Sequence, residues 1–304
     1  MPCFHPLKAW RGRKPSPSGK TPIVWEKENS CGIEVDLPCG QCIGCRMQRC
    51  RDWAIRILHE SRMHRESCFV TLTYNNDNMP DDGSLNKKHF QDFMKRLRYK
   101  IRPQKIKYFQ CGEYGDDFER PHYHACIMGF DFPDKRKFGG TDENPLYKSA
   151  LLADLWPFGF STIGTVSYDS AAYVARYCLK KVNGEKAESH YFRLNPETGE
   201  LNPVEPEYAT MSLKPGIGAG YFDKWGKEIY KHDSVIVKGR EVKPPAYYDK
   251  LYEEAHGGIK EIKDKRLLAV LEHEDNCTPE RLRTRERIAQ LDLQRKKRDG
   301  LYEV

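Results

Sequence analysis

At 304 residues the chain is long enough to bury a full core and to carry appended segments. Its 38% hydrophobic and 12% aromatic residues exclude an intrinsically disordered protein, and its 31% charged residues predict a large solvated surface. Lys and Arg number 51 against 44 Asp and Glu, a net charge of +7 that is too modest to identify a partner by itself.

Membrane and disulfide classes are also disfavoured. The chain contains no run of 18 apolar residues, so no transmembrane helix is predicted. Its N-terminus lacks the apolar core of a signal peptide. We therefore expect the eleven cysteines to be reduced thiols in a cytosol, with roles in metal binding or packing and not in disulfides.

The predicted elements begin after a leader over residues 1–45, which is rich in Cys, Pro, Gly and Ser and is expected to be irregular. Apolar residues at helical spacing predict an amphipathic helix over 46–63. A β-branched and aromatic run predicts a strand over 68–74. Asn86 is a good N-cap for a helix over 87–100.

Farther along, strands are predicted over 105–113 and 122–130, a helix over 146–155 and a strand over 161–166. Asp169 or Ser170 then caps a helix that runs to Lys181. This order predicts an α+β fold of the split βαβ, ferredoxin-like kind, an antiparallel sheet with helices on one face.

Three segments follow from these elements. Residues 1–63 form a cysteine-rich leader and an amphipathic helix that packs on the core, and residues 64–184 form the core. Residues 185–304 form an extension that is loop-rich to about 245 and ends in a highly charged helix starting at Thr278-Pro279-Glu280.

A metal site is predicted on the central strands. His122 and His124, at positions i and i+2 of a strand, point to one face, although a lone His-x-His is weak evidence. Glu113 ends the preceding strand, and a hairpin would bring its carboxylate beside both imidazoles. Two nitrogens and one oxygen leave open positions for Mg²⁺ or Mn²⁺. The alternative is that Glu113 is an ordinary turn carboxylate.

The predicted helix before Asn183 carries a second set of reactive groups. Tyr173 and Tyr177 at i and i+4 lie on one face, and Lys180 joins the same stripe. Such pairs usually serve packing. Here cationic neighbours, Arg176 and Lys181, would stabilise both a phenolate and a phosphate that it attacks.

A third cluster consists of thiols at zinc-like spacing, Cys39, Cys42 and Cys45. A complete site needs a fourth ligand, for which the candidates are Cys3, His5, Cys31 and Cys50, with Cys3 preferred. The alternative is that these are small buried thiols at the start of a helix.

Three motifs carry a resemblance to a known family: Phe69-Val-Thr-Leu-Thr-Tyr74, Gly112-Glu-Tyr-Gly115 with Arg120-Pro-His-Tyr-His124, and Tyr173-Val-Ala-Arg-Tyr-Cys-Leu-Lys180. They resemble the motifs of HUH endonucleases that start rolling-circle replication, and the third is similar to the two-tyrosine type of small single-stranded DNA phages. With Leu37–Arg46 and Met211–Gly218 included, the chain resembles the replication initiators of gokushovirus-type microviruses.

The resemblance implies a metal-dependent nickase of single-stranded origin DNA. His122 and His124 would be metal ligands, Tyr173 and Tyr177 nucleophiles, and Lys180 a helper cation. The products would be a 5′-phosphotyrosine and a 3′-OH that a host polymerase extends before the ends are rejoined. No P-loop occurs, so a host helicase is expected, and the expected compartment is the host bacterial cytoplasm.

DNA contacts are expected from residues within or next to these motifs, namely Thr71, Thr73, Arg120, Arg176 and Lys181. Two alternatives stay open at this point. One is a plasmid relaxase or single-strand transposase of the same superfamily. The other is a zinc-stabilised nucleic-acid-binding protein without chemistry, which would bury Tyr173 and Tyr177 far from His122.

Overall fold

A computed structural model describes residues 3–15, 21–115, 119–182, 184–194 and 199–298. The chain divides into two compact units. One comprises Met1–Arg49 and Lys260–Glu303, and the other comprises Cys50–Ile259. Among the described helices, none has the length and apolar character needed to cross a bilayer.

Strands and helices are numbered in chain order. The strands are β1 Leu7–Gly12, β2 Ile23–Val24, β3 Ser30–Leu37, β4 Ser67–Tyr74, β5 Lys107–Tyr114, β6 Pro121–Met128, β7 Arg136–Gly140, β8 Pro145–Lys148, β9 Gly159–Gly164, β10 Phe192–Leu194, β11 Leu201–Pro203, β12 Tyr208–Met211, β13 Val235–Val237 and β14 Arg240–Val242. The helices are α1 Ile43–Ser61, α2 Lys87–Lys100, α3 Ala150–Leu155, α4 Tyr168–Ala175, α5 Tyr177–Lys180, α6 Glu185–His190, α7 Ala219–His232, α8 Ala246–His256, α9 Lys260–Leu271 and α10 Pro279–Arg298.

The first unit contains an antiparallel sheet of order β2-β1-β3. The prediction of an irregular leader over residues 1–45 is therefore wrong. β1 and β3 pair from Leu7 opposite Leu37 to Gly12 opposite Ser30, and Ala9 between them is fully buried. The alternation of Ile33, Val35 and Leu37 with acidic residues was the strand signal that the prediction missed. The charged C-terminal helix is confirmed as α10.

The second unit is built on a seven-stranded antiparallel sheet of order β12-β5-β6-β4-β9-β8-β7. The predicted α+β class is confirmed. β6 lies between β4 and β5, which is the strand order of a split βαβ unit. The sheet also includes a β7–β8 hairpin and the edge strand β12, neither of which was predicted.

Helices cover both faces of this sheet, so the prediction that they lie on one face is wrong. On one face, Phe93 of α2 packs with Val70 of β4 and Leu152 of α3. On the other face, Ile57 of α1 and Val174 of α4 pack around the side chains that point that way. The reason lies in β4, whose residues 68–70 are buried in succession, as in a strand enclosed on both sides.

Two further boundaries differ from expectation. The helix predicted over 146–155 begins only at Ala150, because Pro145–Lys148 pair with β7 and Ser149 caps α3 by accepting from the Leu152 N–H at 3.0 Å. The region 185–245, expected to be mostly loop, contains α6, α7 and the short strands from β10 to β14. The predicted cap of α2 is confirmed, since Asn86 accepts from the Lys88 N–H.

Candidate active site

Strand register brings the predicted metal ligands together. Glu113 of β5 lies opposite His122 of β6, and Thr73 of β4 lies on the other side of His122. In the next row of the same face, His124 lies opposite Thr71. Directly opposed residues of antiparallel strands share a face. The two rows therefore form one polar patch on the face that carries α1 and α4.

The carboxylate of Glu113 lies between the two imidazoles. Its Oε1 is 3.3 Å from Nε2 of His122 and 3.4 Å from Nε2 of His124. Glu113 and His124 are only 1% and 3% exposed. One ligand atom from each of the three residues lies within 4.8 Å of the others, so the group can hold a metal ion.

Electrostatics favour an ionised Glu113 beside a neutral His124. Burial alone would raise the pKa of Glu113, but its close contacts with the imidazoles of His122 and His124 and the charge of Lys180 hold that pKa well below its usual value. Burial lowers the pKa of His124 to about 4. At neutral pH His124 is therefore uncharged and has a free lone pair, as a metal ligand requires.

Outer hydrogen bonds orient both rings. Nδ1 of His122 lies 2.9 Å from the carbonyl of Arg120, which can only accept, so the proton is on Nδ1 and the lone pair of Nε2 faces Glu113. Nδ1 of His124 lies 3.0 Å from Oγ1 of Thr71. Metal-bound histidines usually have such a partner on their second nitrogen.

A cation fits what these contacts leave unsatisfied. Among the described residues, Oε2 of Glu113 and Nε2 of His124 are buried without a hydrogen bond. Their ion-pair contacts of 3.4 Å are longer than hydrogen bonds of about 2.7–3.2 Å. A metal cation would satisfy both atoms, because it accepts a lone pair from a carboxylate oxygen and from an imidazole nitrogen whose proton is on Nδ1. The donor set therefore fits a hard divalent ion.

Tyr173 lies directly against this group. Its ring meets that of His124 edge-on, with centroids 4.8 Å apart and planes at 87°. It also contacts Phe69 edge-on at 6.3 Å, and the guanidinium of Arg176 lies 4.4 Å from its ring centroid. The position of α4 is set by a capping box in which Ser167 and Ser170 bond each other's backbone N–H groups. The cap is thus Ser167, and the predicted caps, Asp169 or Ser170, are wrong.

The helix that carries Tyr173 is shorter than predicted. It ends at Ala175 because the N–H of Arg176 bonds to the carbonyl of Tyr173, three residues back, and a separate turn α5 begins at Tyr177. Tyr173 and Tyr177 are therefore not on one continuous helix, as the sequence predicted. The side chain of Tyr177 lies outside the described part of the structure.

Lys180 lies beside the carboxylate of Glu113. Its Nζ is 3.4 Å from Oε2 of Glu113 and 3.3 Å from the carbonyl oxygen of Tyr114. The sequence placed this ammonium in the tyrosine stripe. In the structure this ammonium also lies beside the carboxylate oxygen of Glu113 that faces away from His122, and its charge offsets the charge of that carboxylate.

The predicted DNA-binding residues have varied surroundings. Thr73 and Thr71 lie in the site rows, and Thr71 contacts His124. The guanidinium of Arg120 bonds to the Tyr74 carbonyl at 3.0 Å and to Asn76. Arg176 covers Tyr173, while Lys181 follows α5 and is half-buried.

One residue beside the site was not predicted. Phe160 of β9 lies opposite Thr73, in the row of His122 and Glu113, and is 68% exposed. A signal for this residue was present in the sequence. In β9 the aromatic Phe160 alternates with Ser161 and so shares a face with the polar Thr162. The meaning of this signal depends on the register with β4, which the sequence does not reveal.

Four cysteines converge in the first unit. The thiols of Cys3, Cys39, Cys42 and Cys45 lie within 4.8 Å of one another and can hold a metal ion. Among the candidates for a fourth ligand, the structure thus brings Cys3 to the group. His5 instead pairs with Glu286 at 2.7 Å, and Cys31 is exposed.

Backbone N–H groups point at these sulfurs. Phe4 donates to Sγ of Cys42, Cys39 to Sγ of Cys3, and Cys42 to Sγ of Cys39, each at 3.3 Å. Burial raises the pKa of the Cys42 thiol, but hydrogen bonds from the backbone of Phe4 and Cys45 outweigh it and lower the pKa to about 7. Burial raises the pKa of Cys3 and Cys45.

Comparison with known proteins identifies the family of the chain. Residues 67–182 match the family model described as replication-associated protein ORF2/G2P. The chain is 32% identical over 267 residues to replication-associated protein VP4 of Bdellovibrio phage phiMH2K, covering 84% of this chain and 78% of that protein. It is 32% identical over 272 residues to replication-associated protein ORF2 of Spiroplasma virus 4, covering 83% and 81%.

A third relative is replication-associated protein ORF4 of Chlamydia phage 1, which is 30% identical over 224 residues, covering 71% of this chain and 53% of that protein. No solved structure matches the chain significantly.

Proposed function

The chain belongs to the replication-associated proteins of microvirus-type phages, and we propose that it is the HUH-type endonuclease that nicks single-stranded origin DNA to start rolling-circle replication. The observation that carries the proposal is the contact between Tyr173 and His124, with ring centroids 4.8 Å apart. It puts a nucleophile that can form a phosphodiester beside a group suited to a divalent metal.

In this mechanism the phenolic oxygen of Tyr173 attacks the scissile phosphorus. A P–O bond forms to the tyrosine, the P–O3′ bond breaks, and the leaving oxygen takes up a proton to become the 3′-OH. Glu113, His122 and His124 would hold Mg²⁺ or Mn²⁺, which when bound polarises the phosphate oxygens. Arg176, already on the ring of Tyr173, offers positive charge to the phenolate that forms.

The phosphotyrosine conserves the energy of the broken bond, which allows a later rejoining. We propose that Tyr177 attacks the regenerated origin after one round of synthesis, and that the freed 3′-OH then attacks the first phosphotyrosine to close the circle. The first attack on the origin can come from either tyrosine. Lys180, at 3.4 Å from Glu113, keeps the metal-binding carboxylate ionised and in place.

The proposed partners are origin DNA, a host polymerase that extends the 3′-OH and a host helicase, since the sequence has no P-loop. The action is proposed to take place in the bacterial host cytoplasm. Arg120 and Lys181 would contact the DNA backbone through the groups that their protein contacts leave accessible.

We also propose that Cys3, Cys39, Cys42 and Cys45 hold a structural zinc ion. Four sulfurs complete a tetrahedral set with no open position for a substrate. The N–H groups aimed at three of the sulfurs stabilise thiolates, which are the ligand form that zinc binds.

Two alternatives are less well supported. A zinc-stabilised binding protein without chemistry predicts tyrosines far from the histidines, whereas Tyr173 touches His124. A plasmid relaxase or transposase is disfavoured by the similarity to phage replication-associated proteins over more than four fifths of the chain.

The proposal is tested by incubating the full chain with single-stranded DNA of its own genome and Mn²⁺, then separating the products in boiling detergent. A covalent protein–DNA adduct is expected. The same reaction in excess chelator and the same origin as a sealed duplex should give none. Equal adduct with and without chelator would refute the metal-dependent mechanism.

A further inference from the structure

Exposed aromatic and basic side chains extend the candidate site along the sheet. Phe160 lies opposite Thr73, which in turn lies opposite His122, so all three share one face. Phe160 is 68% exposed at a position where α1 and α4 do not cover the sheet. Leaving a large aromatic ring in water forgoes the free energy that its burial would add to folding. An exposed ring near a candidate catalytic group is therefore a candidate binding contact.

The close approach of β9 to β4 fixes the position of this ring. Gly159 has a φ of +149°, and a Cβ there would lie 2.2 Å from the Asn75 nitrogen and 2.6 Å from the Thr73 oxygen. Only glycine fits this contact. Phe160 is thereby held at the row of the metal ligands and does not sit on a free loop.

The same face continues onto the β8 and β7 hairpin. Tyr147 of β8 lies opposite Ile163, and both belong to the opposite, apolar face. The next residue, Lys148, therefore points to the face of Phe160. Arg136 of β7 lies opposite Lys148 and shares that face. Lys148 and Arg136 are both exposed.

A second exposed ring completes the strip. Phe138 of β7 is 49% exposed, and Nζ of Lys148 lies 4.6 Å from its ring centroid. Within the described part of the chain, no carboxylate pairs with Lys148 or Arg136. The hairpin turn carries two acidic side chains, Asp142, which pairs with Lys137 at 2.7 Å, and Glu143. We name Phe160, Lys148, Phe138 and Arg136 the flanking strip.

We infer that the flanking strip binds the single-stranded DNA next to the scissile phosphate, with Phe160 and Phe138 stacking on unpaired bases and Lys148 and Arg136 contacting phosphates. The inference rests on the proposed function, because it takes the polar patch as the cleavage site. The strip itself crosses two strand spacings from β9 to β7, about 10 Å, and the distance from His122 on β6 to β7 is four spacings, about 20 Å, enough for a few nucleotides of single strand.

Exposed aromatic rings can bind several kinds of partner. The basic side chains beside these rings favour single-stranded DNA. Alternating stacking platforms and positive charges are the pattern by which proteins hold single strands without reading sequence. A duplex has its bases stacked on each other and offers only phosphates. The strip should therefore prefer single-stranded DNA, and part of its affinity should depend on salt.

Binding is measured with the full chain, a fluorescent oligothymidylate longer than the strip, and excess chelator so that no cleavage occurs. Phe160→Ala is expected to weaken binding about tenfold, the typical effect of losing one stacked base. Tyr99→Ala is the matched control, since Tyr99 is a 71% exposed ring on α2, which packs on the opposite face. It should bind like the unmodified protein.

Salt dependence tests the cations separately. Lys148→Gln should reduce the slope of log affinity against log salt by about 0.7, the value for one phosphate contact on a single strand. Lys95→Gln on α2 should leave it unchanged. Melting temperatures of all four variants should stay within a few degrees, because each side chain is exposed.

Unchanged oligothymidylate affinity in Phe160→Ala, or competition by a duplex as strong as by the single strand, would overturn the inference while leaving adduct formation intact. The opposite pattern, Phe160-dependent binding by a protein that never forms an adduct, would overturn the proposed function and leave the flanking strip standing.

Discussion

At the scale of single residues, the site is determined by which nitrogen of each histidine carries a proton. The Arg120 carbonyl assigns the proton of His122 to Nδ1, and Thr71 gives Nδ1 of His124 a partner. Both Nε2 atoms then face Glu113. Thr71, predicted as a DNA contact, is thus a hydrogen-bond partner of His124, a candidate metal ligand.

His122→Ala should abolish adduct formation, with a loss of more than about a hundredfold, because a metal ion supplies several kcal/mol of charge stabilisation. The fold should persist, since the side chain is 13% exposed and its main partner is a backbone carbonyl. Affinity for DNA should change little, because phosphate contacts dominate it. The measurements are adduct yield and fluorescence anisotropy.

His232→Ala is the matched control, because His232 is an exposed histidine of α7 that pairs with Glu228 at 3.3 Å. It should react like the unmodified protein. Undiminished cleavage by His122→Ala would mean that the two histidines on β6 are not the ligands.

Lys180→Met should slow adduct formation by about ten- to a hundredfold without abolishing it, because the variant keeps the length of the side chain and loses only the charge beside Glu113. Lys180→Arg keeps the charge and should recover most of the rate. The measurement is the rate of adduct formation at saturating Mn²⁺. A Met variant as fast as the unmodified protein would reduce Lys180 to a packing role.

At the scale of elements, the two candidate metal-binding groups are assembled by different means. β5 and β6 hold Glu113 opposite His122 through a regular ladder, which a sequence pattern can reveal. The cysteine group instead joins Cys3 to residues 36 or more positions later, with the help of N–H bonds from Phe4 and Cys39. Only the folded chain creates that second arrangement.

Cys42→Ser should release zinc and lower the melting temperature by several degrees, since a structural metal adds its binding free energy to folding. The folded fraction should still form the adduct, because the thiols offer no open coordination position. Elemental analysis and thermal melts test this. Cys31→Ser, at an exposed thiol outside the group, is the control. Absence of zinc from freshly purified protein would contradict the zinc proposal and leave these cysteines with a packing role.

The elements that sequence reasoning recovered are those with strong local signals. β4, β5 and β6 have β-branched or aromatic runs, and α2 has its Asn86 cap. The break after Ala175 was missed because Arg176 has ordinary helix propensity, and only its bond to the Tyr173 carbonyl shows the change. Helices on both faces were missed because a fully buried strand loses the alternation that identifies its open face.

At the scale of the whole molecule, the candidate site needs residues from β4, β5, β6, α4 and α5, all in the unit Cys50–Ile259. The His-x-His pair and the position of Glu113 could be predicted, because side chains alternate along a strand and Glu113 ends the strand before a predicted hairpin. The contact between Tyr173 and His124 could not be predicted, because it depends on how α4 packs across the sheet. Phe160 was missed for the same reason, since its neighbours come from another strand.

The most direct test of the account is to identify the amino acid that becomes linked to DNA. The full chain is reacted with single-stranded origin DNA and Mn²⁺, digested, and the nucleotide-bearing peptide is sequenced by mass spectrometry. A 5′-phosphate is expected on Tyr173 or Tyr177, with a reduced amount of adduct in each single Phe variant and no adduct when both residues are Phe. A linkage at Tyr168 or Tyr191, or an adduct that persists in the double variant, would contradict this expectation.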